Sequence, residues 1–303
     1  MASILLAGGA GLIGRRLRCL LIQEGHQVSI LSRKAHPYGE FPTFVWNPDK
    51  GTIDHDAVRK ADVVINLAGA GIADARWTPE RKREIIESRT RSTRLLLESF
   101  QSTGHFPKCY ISGAAIGYYG ERGNEELTED ARPGTGFLAE SCVAWEQAIA
   151  EVAAAGIRTV AFRIGIVLST KGGALEKMLP PARLGAGAYF GNGAQWYSWV
   201  HIDDLCRMFL HAIQHPEMAG TFNAVAPQPV TNKDLSHALM RALGKPAILL
   251  PAPAFALRWA MGEMADVVLN STKVSSKKIE LAGFRFQFNS LDAAFTDLLD
   301  RQV

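Results

Sequence analysis

No stretch of the 303-residue chain approaches the ~20 uninterrupted apolar residues that a membrane-spanning helix requires, so no membrane anchor is expected. Cysteine is scarce. Cys19, Cys109, Cys142 and Cys206 lie far apart and include no CxxC pair, which argues against a disulfide framework or a zinc knuckle and suits the reducing cytoplasm. Excess charge is lacking as well. The 33 basic and 30 acidic side chains leave a formal +3, scattered along the chain, so neither nucleic acid nor a membrane surface is the expected partner. None of the histidines falls in an HExxH or similar spacing, and no metal is expected. The first residues are largely apolar, but no basic region precedes them and their glycines recur every third residue, so they are not read as a secretory signal.

What is present is globular. Hydrophobic residues make up 47% and charged residues 21%, and the length suits two domains or one elaborated domain. Short aliphatic runs at Ser3–Ala7, Gln27–Leu31, Thr43–Trp46, Val63–Leu67, Lys108–Ser112 and Thr159–Ile164 alternate with segments of helical period. That alternation predicts an α/β fold with a parallel sheet, because parallel neighbours are joined by crossovers. After Ser169 the chain turns Gly- and Pro-rich, which predicts loops and short helices over a site. Trp199–Ile202 and Thr221–Val225 are expected to return to the sheet. From Pro227 the pattern is mainly helical.

The chemistry begins after the first strand, at Gly8-Gly9-Ala10-Gly11-Leu12-Ile13-Gly14. Glycines at 8, 11 and 14 permit a tight turn, close approach to a pyrophosphate and close helix packing, and the helix start favours negative charge. The strand-turn-helix setting makes a dinucleotide site a better reading than a mere turn. The second strand ends in Ser32-Arg33-Lys34, where an NAD site would place a carboxylate. A serine and two cations suit a 2′-phosphate, so NADP(H) is the expected cofactor. Leu67-Ala68-Gly69 follow another strand end and are small enough to admit the nucleoside. Thr78-Pro79-Glu80 reads as a helix start. Arg89 falls on the inward stripe of that helix, so it has either a ligand or an acidic neighbour such as Glu84.

The glycine motif, NLAG, Arg76-Trp77, ESRTRSTRLL, SGAAIGYYG, GGALEKMLPP and WVHIDDL together resemble the short-chain dehydrogenase/reductase superfamily. Within it they are similar to the atypical extended branch called epimerase family proteins, relatives of the sugar-nucleotide epimerases. The tail from Arg258 onward is similar to that branch's small C-terminal domain. This resemblance implies a Rossmann-type doubly wound sheet with a smaller, mainly helical substrate domain. It also implies a cytoplasmic NADP-binding protein, often a homodimer, in which Ser112, Gly113, the loop residues and the backbone near Val167 meet the cofactor. The expected division is 1–168 plus 199–227 for the dinucleotide domain, and 169–198 plus 228–303 for the other.

One departure matters. The superfamily's Ser-Tyr-Lys relay uses a YxxxK pair, and no YxxxK occurs in this chain. Matching the helix through Glu146 puts Leu138 at the tyrosine position, Cys142 at the lysine position and Ala114 at the serine position. The standard proton path is absent, so the donor is sought elsewhere. Tyr118, Tyr119 and His201 are the candidates, each with a packing role as its rival. Trp77, Lys177, Arg183, Gln195 and Trp199 suggest a pocket for a small substrate, the two cations suiting an anionic one. Two functions follow: an NADP-dependent oxidoreductase or epimerase-like enzyme, or a non-catalytic NADP(H)-sensing module.

Overall fold

The computed structural model describes residues 1–34, 41–246 and 249–300. The described chain divides into two compact units, and elements are numbered here in chain order. The first unit comprises 1–114, 140–162 and 206–222. It contains, save for the last residues of three strands, a sheet of β1 (Ser3–Ala7), β2 (Gln27–Ser32), β3 (Thr43–Asn47), β4 (Thr52–Ile53), β5 (Val63–Asn66), β6 (Cys109–Ala115), β8 (Thr159–Ile164) and β13 (Gly220–Ala224). The order across the sheet is β13-β8-β6-β5-β1-β2-β3-β4. β1 pairs in parallel with β2 and β5, β2 with β3, and β5 with β6, so the expected α/β architecture is present.

The helices follow the apolar spacing. In α1 (Leu12–Gln23) the buried side is Gly14, Leu17 and Leu21, one stripe of a helix. After the short α2 (His55–Arg59), α3 (Pro79–Thr103) starts as the sequence predicts: Thr78 caps the Arg81 N–H with its hydroxyl and Pro79 occupies the first turn. Leu95, Leu96 and Phe100 of α3 pack with Trp145, Ile149 and Val152 of α4 (Phe137–Ala154) and with Leu5, Leu31, Val64 and Tyr110 of the sheet. Each such large side chain, taken out of water, contributes ~1.5–3 kcal/mol.

At the foot of β1, Asp62 Oδ2 accepts the Ser3 N–H at 2.9 Å and Oδ1 lies 3.0 Å from Lys108 Nζ. The Ser3 hydrogen bond, then Lys108, holds this carboxyl below its ordinary value of 3.8. A depressed carboxyl stabilises the fold above its unfolded value, and that gain is lost as pH falls through the folded one. Asp62→Asn should therefore cost at most ~1 kcal/mol at neutral pH, the exposed Lys108 pair adding little. In urea titrations the gap between Asp62→Asn and the parent should close below pH 3.8. A gap that persists undiminished in acid would rule this out.

The second unit comprises 115–139, 163–205 and 223–303. Its strands form small pairs: β7 (Glu126–Leu127) with β16 (Lys273–Val274), β9 (Ile166–Leu168) with β12 (Trp199–His201), β10 (Gly187–Phe190) with β15 (Leu249–Ala252), and β11 (Trp196–Tyr197) with β14 (Val230–Thr231). Around them lie α5 (Gly173–Arg183), the start of α6 (Ile202–Gln214), α7 (Asn232–Ala242), α8 (Ala254–Met261), α9 (Asp266–Leu269), α10 (Lys277–Leu281) and α11 (Leu291–Asp300). One expectation changes. Trp199–His201 pairs with β9 and not with the large sheet, whereas Gly220–Ala224 does reach its edge. After Ser169 a helix of the kind expected there is present: α5, with Leu175, Leu179 and Ala182 buried on one side.

Candidate functional site

In the first unit, Gly8 adopts φ +83°, the left-handed region that glycine alone enters freely. Its carbonyl accepts the Gly11 N–H at 3.0 Å, closing the turn. A Cβ on Gly8 would lie 2.6 Å from the Leu67 carbonyl carbon, and one on Gly14 would overlap the Gly8 oxygen and stand 2.7 Å from the Gly9 Cα. The loop therefore has room for hydrogen alone at these two places. The first intrahelical bond runs from Arg15 N–H to the Gly11 carbonyl, so the N–H groups of Leu12, Ile13 and Gly14 head the helix without intrahelical partners. Such a terminus is an anion site.

At the end of β2, Ser32 Oγ accepts the Lys34 N–H at 3.2 Å, and the side chains of Arg33 and Lys34 are exposed. After β5, Leu67 N–H bonds the Ala7 carbonyl at 2.9 Å and Ala68 N–H bonds Asn66 Oδ1 at 3.1 Å. The Asn66 amide donates to Tyr110 Oη at 3.0 Å and to Ser92 Oγ at 3.2 Å, so one buried asparagine fixes the loop to α3 and β6. Gly69 abuts Arg89, whose Nη1 donates to the Ile85 carbonyl at 2.8 Å. Burial pushes the Arg89 guanidinium below its usual range.

One expected pairing is arranged otherwise. Glu84 is exposed and pairs with Arg81 at 2.7 Å, one turn away, so it is not the acidic neighbour of Arg89. Arg81 also donates to the Gly71 carbonyl, a role missed in the sequence although the i,i+3 spacing to Glu84 was readable there. Ser112 is wholly buried, and its hydroxyl donates to the Gly113 carbonyl at 2.8 Å; Gly113 is buried beside it. The Trp77 indole N–H bonds the Ile72 carbonyl at 2.8 Å, bracing its loop.

In the second unit, Tyr119 is fully buried. Its hydroxyl donates to Asn223 Oδ1 at 2.6 Å and accepts from Arg163 Nη1 at 2.9 Å. Burial, partly offset by Arg163, pushes this phenol up to about 12. It ties β13 to Arg163 within the core of this unit. Tyr118 differs: it is half-buried, and Arg163 stacks over its ring with Cζ 3.5 Å from the centroid. Arg163, only 4% exposed, also donates to the Glu129 carbonyl at 3.1 Å.

His201 is likewise buried. Its Nδ1 accepts the Asp203 N–H at 3.1 Å, so the neutral ring carries its proton on Nε2, 3.1 Å from Asp297 Oδ2. The ring stacks on Phe288 with centroids 3.7 Å apart. His201, Asp203 and Asp297 bring potential metal ligands within 4.8 Å of one another, a grouping that the sequence spacing did not show. Next to it, the Asp204 carboxylate accepts the Gln287 and Phe288 N–H groups at 3.0 and 2.9 Å. His201 and Asp204 thus seat the C-terminal segment.

Trp199 is wholly buried with its indole N–H on the Gln228 carbonyl at 2.9 Å, while Lys177 and Arg183 are exposed on α5. Val167 pairs with Val200 across β9 and β12. An open cleft of about 790 Å³ in this unit is lined by Glu121, Asn124, Asn192, Gln195, Arg258 and Asn270 among others. Of the five residues expected to form a pocket, only Gln195 lines it. Among the described residues no helix is long and apolar enough to cross a membrane.

Comparison with known proteins agrees with this architecture. Residues 4–225 match the model of the NAD dependent epimerase/dehydratase family, and residues 252–298 match a domain of unknown function, DUF1731. An epimerase family protein of Mycobacterium leprae is 36% identical over 296 residues, covering 97% of this chain and 95% of its own. The crystal structure of the human epimerase family protein SDR39U1 (isoform 2) with NADPH superposes with a TM-score of 0.89 at 30% identity, covering 98% of this chain and 99% of that one. A nucleoside-diphosphate sugar epimerase from Corynebacterium glutamicum gives a TM-score of 0.78 at 33% identity, with 98% of this chain spanning 58% of that one.

Proposed function

The chain belongs to the NAD dependent epimerase/dehydratase family, and from that premise we propose that it binds NADP(H) on its first unit and is an oxidoreductase or epimerase-like enzyme acting on a small molecule. The observation that carries the reading is the glycine turn, packed against its own backbone so closely at Gly8 and Gly14 that no Cβ fits, with the Leu12, Ile13 and Gly14 N–H groups at the head of α1 lacking intrahelical partners. The relative solved with NADPH supports the same cofactor. In this reading Gly11, Leu12, Ile13 and Gly14 hold the pyrophosphate, Ser32, Arg33 and Lys34 hold the 2′-phosphate, and Leu67, Ala68 and Gly69 line the nucleoside. When bound, the nicotinamide supplies or accepts a hydride. Of the three candidate donors, Tyr118 has the more accessible ring, and Arg163 fixes its orientation. We place the protein in the cytoplasm, consistent with its free cysteines, and expect self-association as a homodimer.

A second reading, a non-catalytic NADP(H) sensor, is favoured by the lack of a YxxxK pair in the sequence, where the family resemblance puts Leu138 and Cys142 at the relay positions. Transfer of deuterium from labelled NADPH into a metabolite extract would establish the enzyme. Tight binding without transfer over a broad panel would favour the sensor, and failure to bind either nicotinamide coenzyme would defeat both.

Cofactor preference has its own test. Reversing both Arg33 and Lys34 to glutamate should weaken NADPH by about a hundredfold or more, since each charge-assisted contact is worth ~1.5–3 kcal/mol. NADH affinity should stay level or rise. An equal loss for both coenzymes in calorimetry would remove these residues from the 2′-phosphate.

A further inference from the structure

Among the described residues, four of the five large apolar side chains that the second unit exposes stand around one small sheet. Leu184 closes α5, Leu250 lies in β15, and Phe255 and Trp259 belong to α8, which follows β15 after a single proline. β10 and β15 run in parallel, and Gly187, three residues after Leu184, sits opposite Leu249. The helix itself is unusual. Seven of the eight residues of α8 are apolar, yet none of them is buried. Phe255 and Trp259 are one turn apart and share a face, with 77% and 84% of their surface open, while Leu250 and Leu184 are 60% and 88% open. An apolar face of this kind marks an interaction site.

Two properties select what covers it. The first is charge. Arg258 is the one charged residue in α8, and its Nη1 lies 3.0 Å from Asp266 Oδ1. A face with no net charge attracts neither an acidic nor a basic partner, and it lacks the cations that hold a helix on anionic lipid. It does suit its own copy, because at a two-fold axis the same surface patch meets itself and any excess charge would be repelled. The second is area. At ~150–250 Å² for a buried aromatic side chain, and less for leucine, the four exposed groups offer roughly 600 Å². A standard interface buries about 800 Å² on each partner, so this face with its rim has the size that a dimer needs.

We propose that two copies of this chain associate through α8, the two helices packing antiparallel about a two-fold axis with Phe255 of each copy beside Trp259 of the other. The inference rests on the homodimer reading above and adds the surface that forms it.

Sedimentation velocity of the full chain over a dilution series tests this. The parent should pass from dimer to monomer. Phe255→Lys and Trp259→Glu, made separately, should each raise the dissociation constant by about thirtyfold or more, as for the loss of a hot-spot residue. Neither ring is buried in its own chain, so the circular dichroism of both variants should match the parent. Mixed in equal amounts, the two variants should pair again, since the antiparallel arrangement sets the new lysine beside the new glutamate. A dimer that survives both substitutions, or variants that stay apart when mixed, would overturn the α8 face alone. A parent that stays monomeric at every concentration would defeat the homodimer reading and this inference together, and if that monomer floats with phosphatidylcholine vesicles the face belongs to a membrane.

Discussion

Replacing Gly14 with alanine should abolish measurable NADPH binding while also lowering stability. An alanine Cβ there would overlap the Gly8 carbonyl oxygen and press within 2.7 Å of the Gly9 Cα, and both are backbone atoms that a side-chain rotation cannot move aside. The turn and the first helical residues must separate, and overpacking of this kind typically costs ~1–3 kcal/mol. Binding suffers more than stability. Movement of the Leu12, Ile13 and Gly14 N–H groups by a fraction of an ångström spoils two or three charge-assisted hydrogen bonds at once, a loss of more than about a hundredfold. Gly11 provides the contrast. Its backbone, φ −73° and ψ 173°, suits any residue, and an added Cβ meets only the Gly8 oxygen at 3.3 Å. Gly11→Ala should fold nearly as stably as the parent but bind NADPH more weakly, because the methyl group intrudes on the ligand's side of the turn. If Gly14→Ala bound NADPH with parental affinity, the cradle would not be the cofactor site.

That contrast shows what a linear sequence conveys here. The glycine turn, its helix and the flanking strands are local, and local chemistry places them: Ser3–Ala7 and Thr159–Ile164 appear with the predicted limits, and Thr78-Pro79 starts α3. The pairing of Arg81 with Glu84 is equally local, an i,i+3 neighbour on one helix face. The second unit was far less legible. Tyr118 and Tyr119 are adjacent in the chain, yet one ring remains half-exposed and the other is enclosed, because Asn223, 104 residues later, supplies the acceptor for Tyr119. His201 reads as a candidate acid until Asp297 and Phe288 arrive from the far end of the chain to enclose it. Trp199 has the composition of a pocket wall, but the strand pairing of β12 turns it into the interior. Side-chain direction in short, irregular strands depends on such distant partners, and no periodicity reports them.

The dependence on distant partners makes Asn223 the residue whose loss should most damage the second unit. Its Oδ1 accepts the Tyr119 hydroxyl at 2.6 Å, and its Nδ2 donates to the Ser275 carbonyl at 3.1 Å. Leucine fills a similar volume but satisfies neither, leaving a buried hydroxyl and a buried carbonyl without their partners. At ~1–3 kcal/mol for each stranded group, Asn223→Leu should destabilise the protein by about 3–5 kcal/mol, read as a lower urea midpoint. Tyr119→Phe should also destabilise, since it strands Asn223 Oδ1 and takes an acceptor from the buried Arg163 guanidinium. The two changes share an interaction, so the double variant should cost less than the sum of the single costs by ~1 kcal/mol or more. Alkali separates them further. The Tyr119 phenol ionises near 10.0 when unfolded and only at about 12 when folded, so the unfolded chain loses its proton first and stability declines as pH rises across that window. Tyr119→Phe lacks that group and should decline less steeply than the parent over the same range. Additive costs in the double variant, or equal alkaline slopes for Tyr119→Phe and the parent, would show that this phenol is not held as the structure places it.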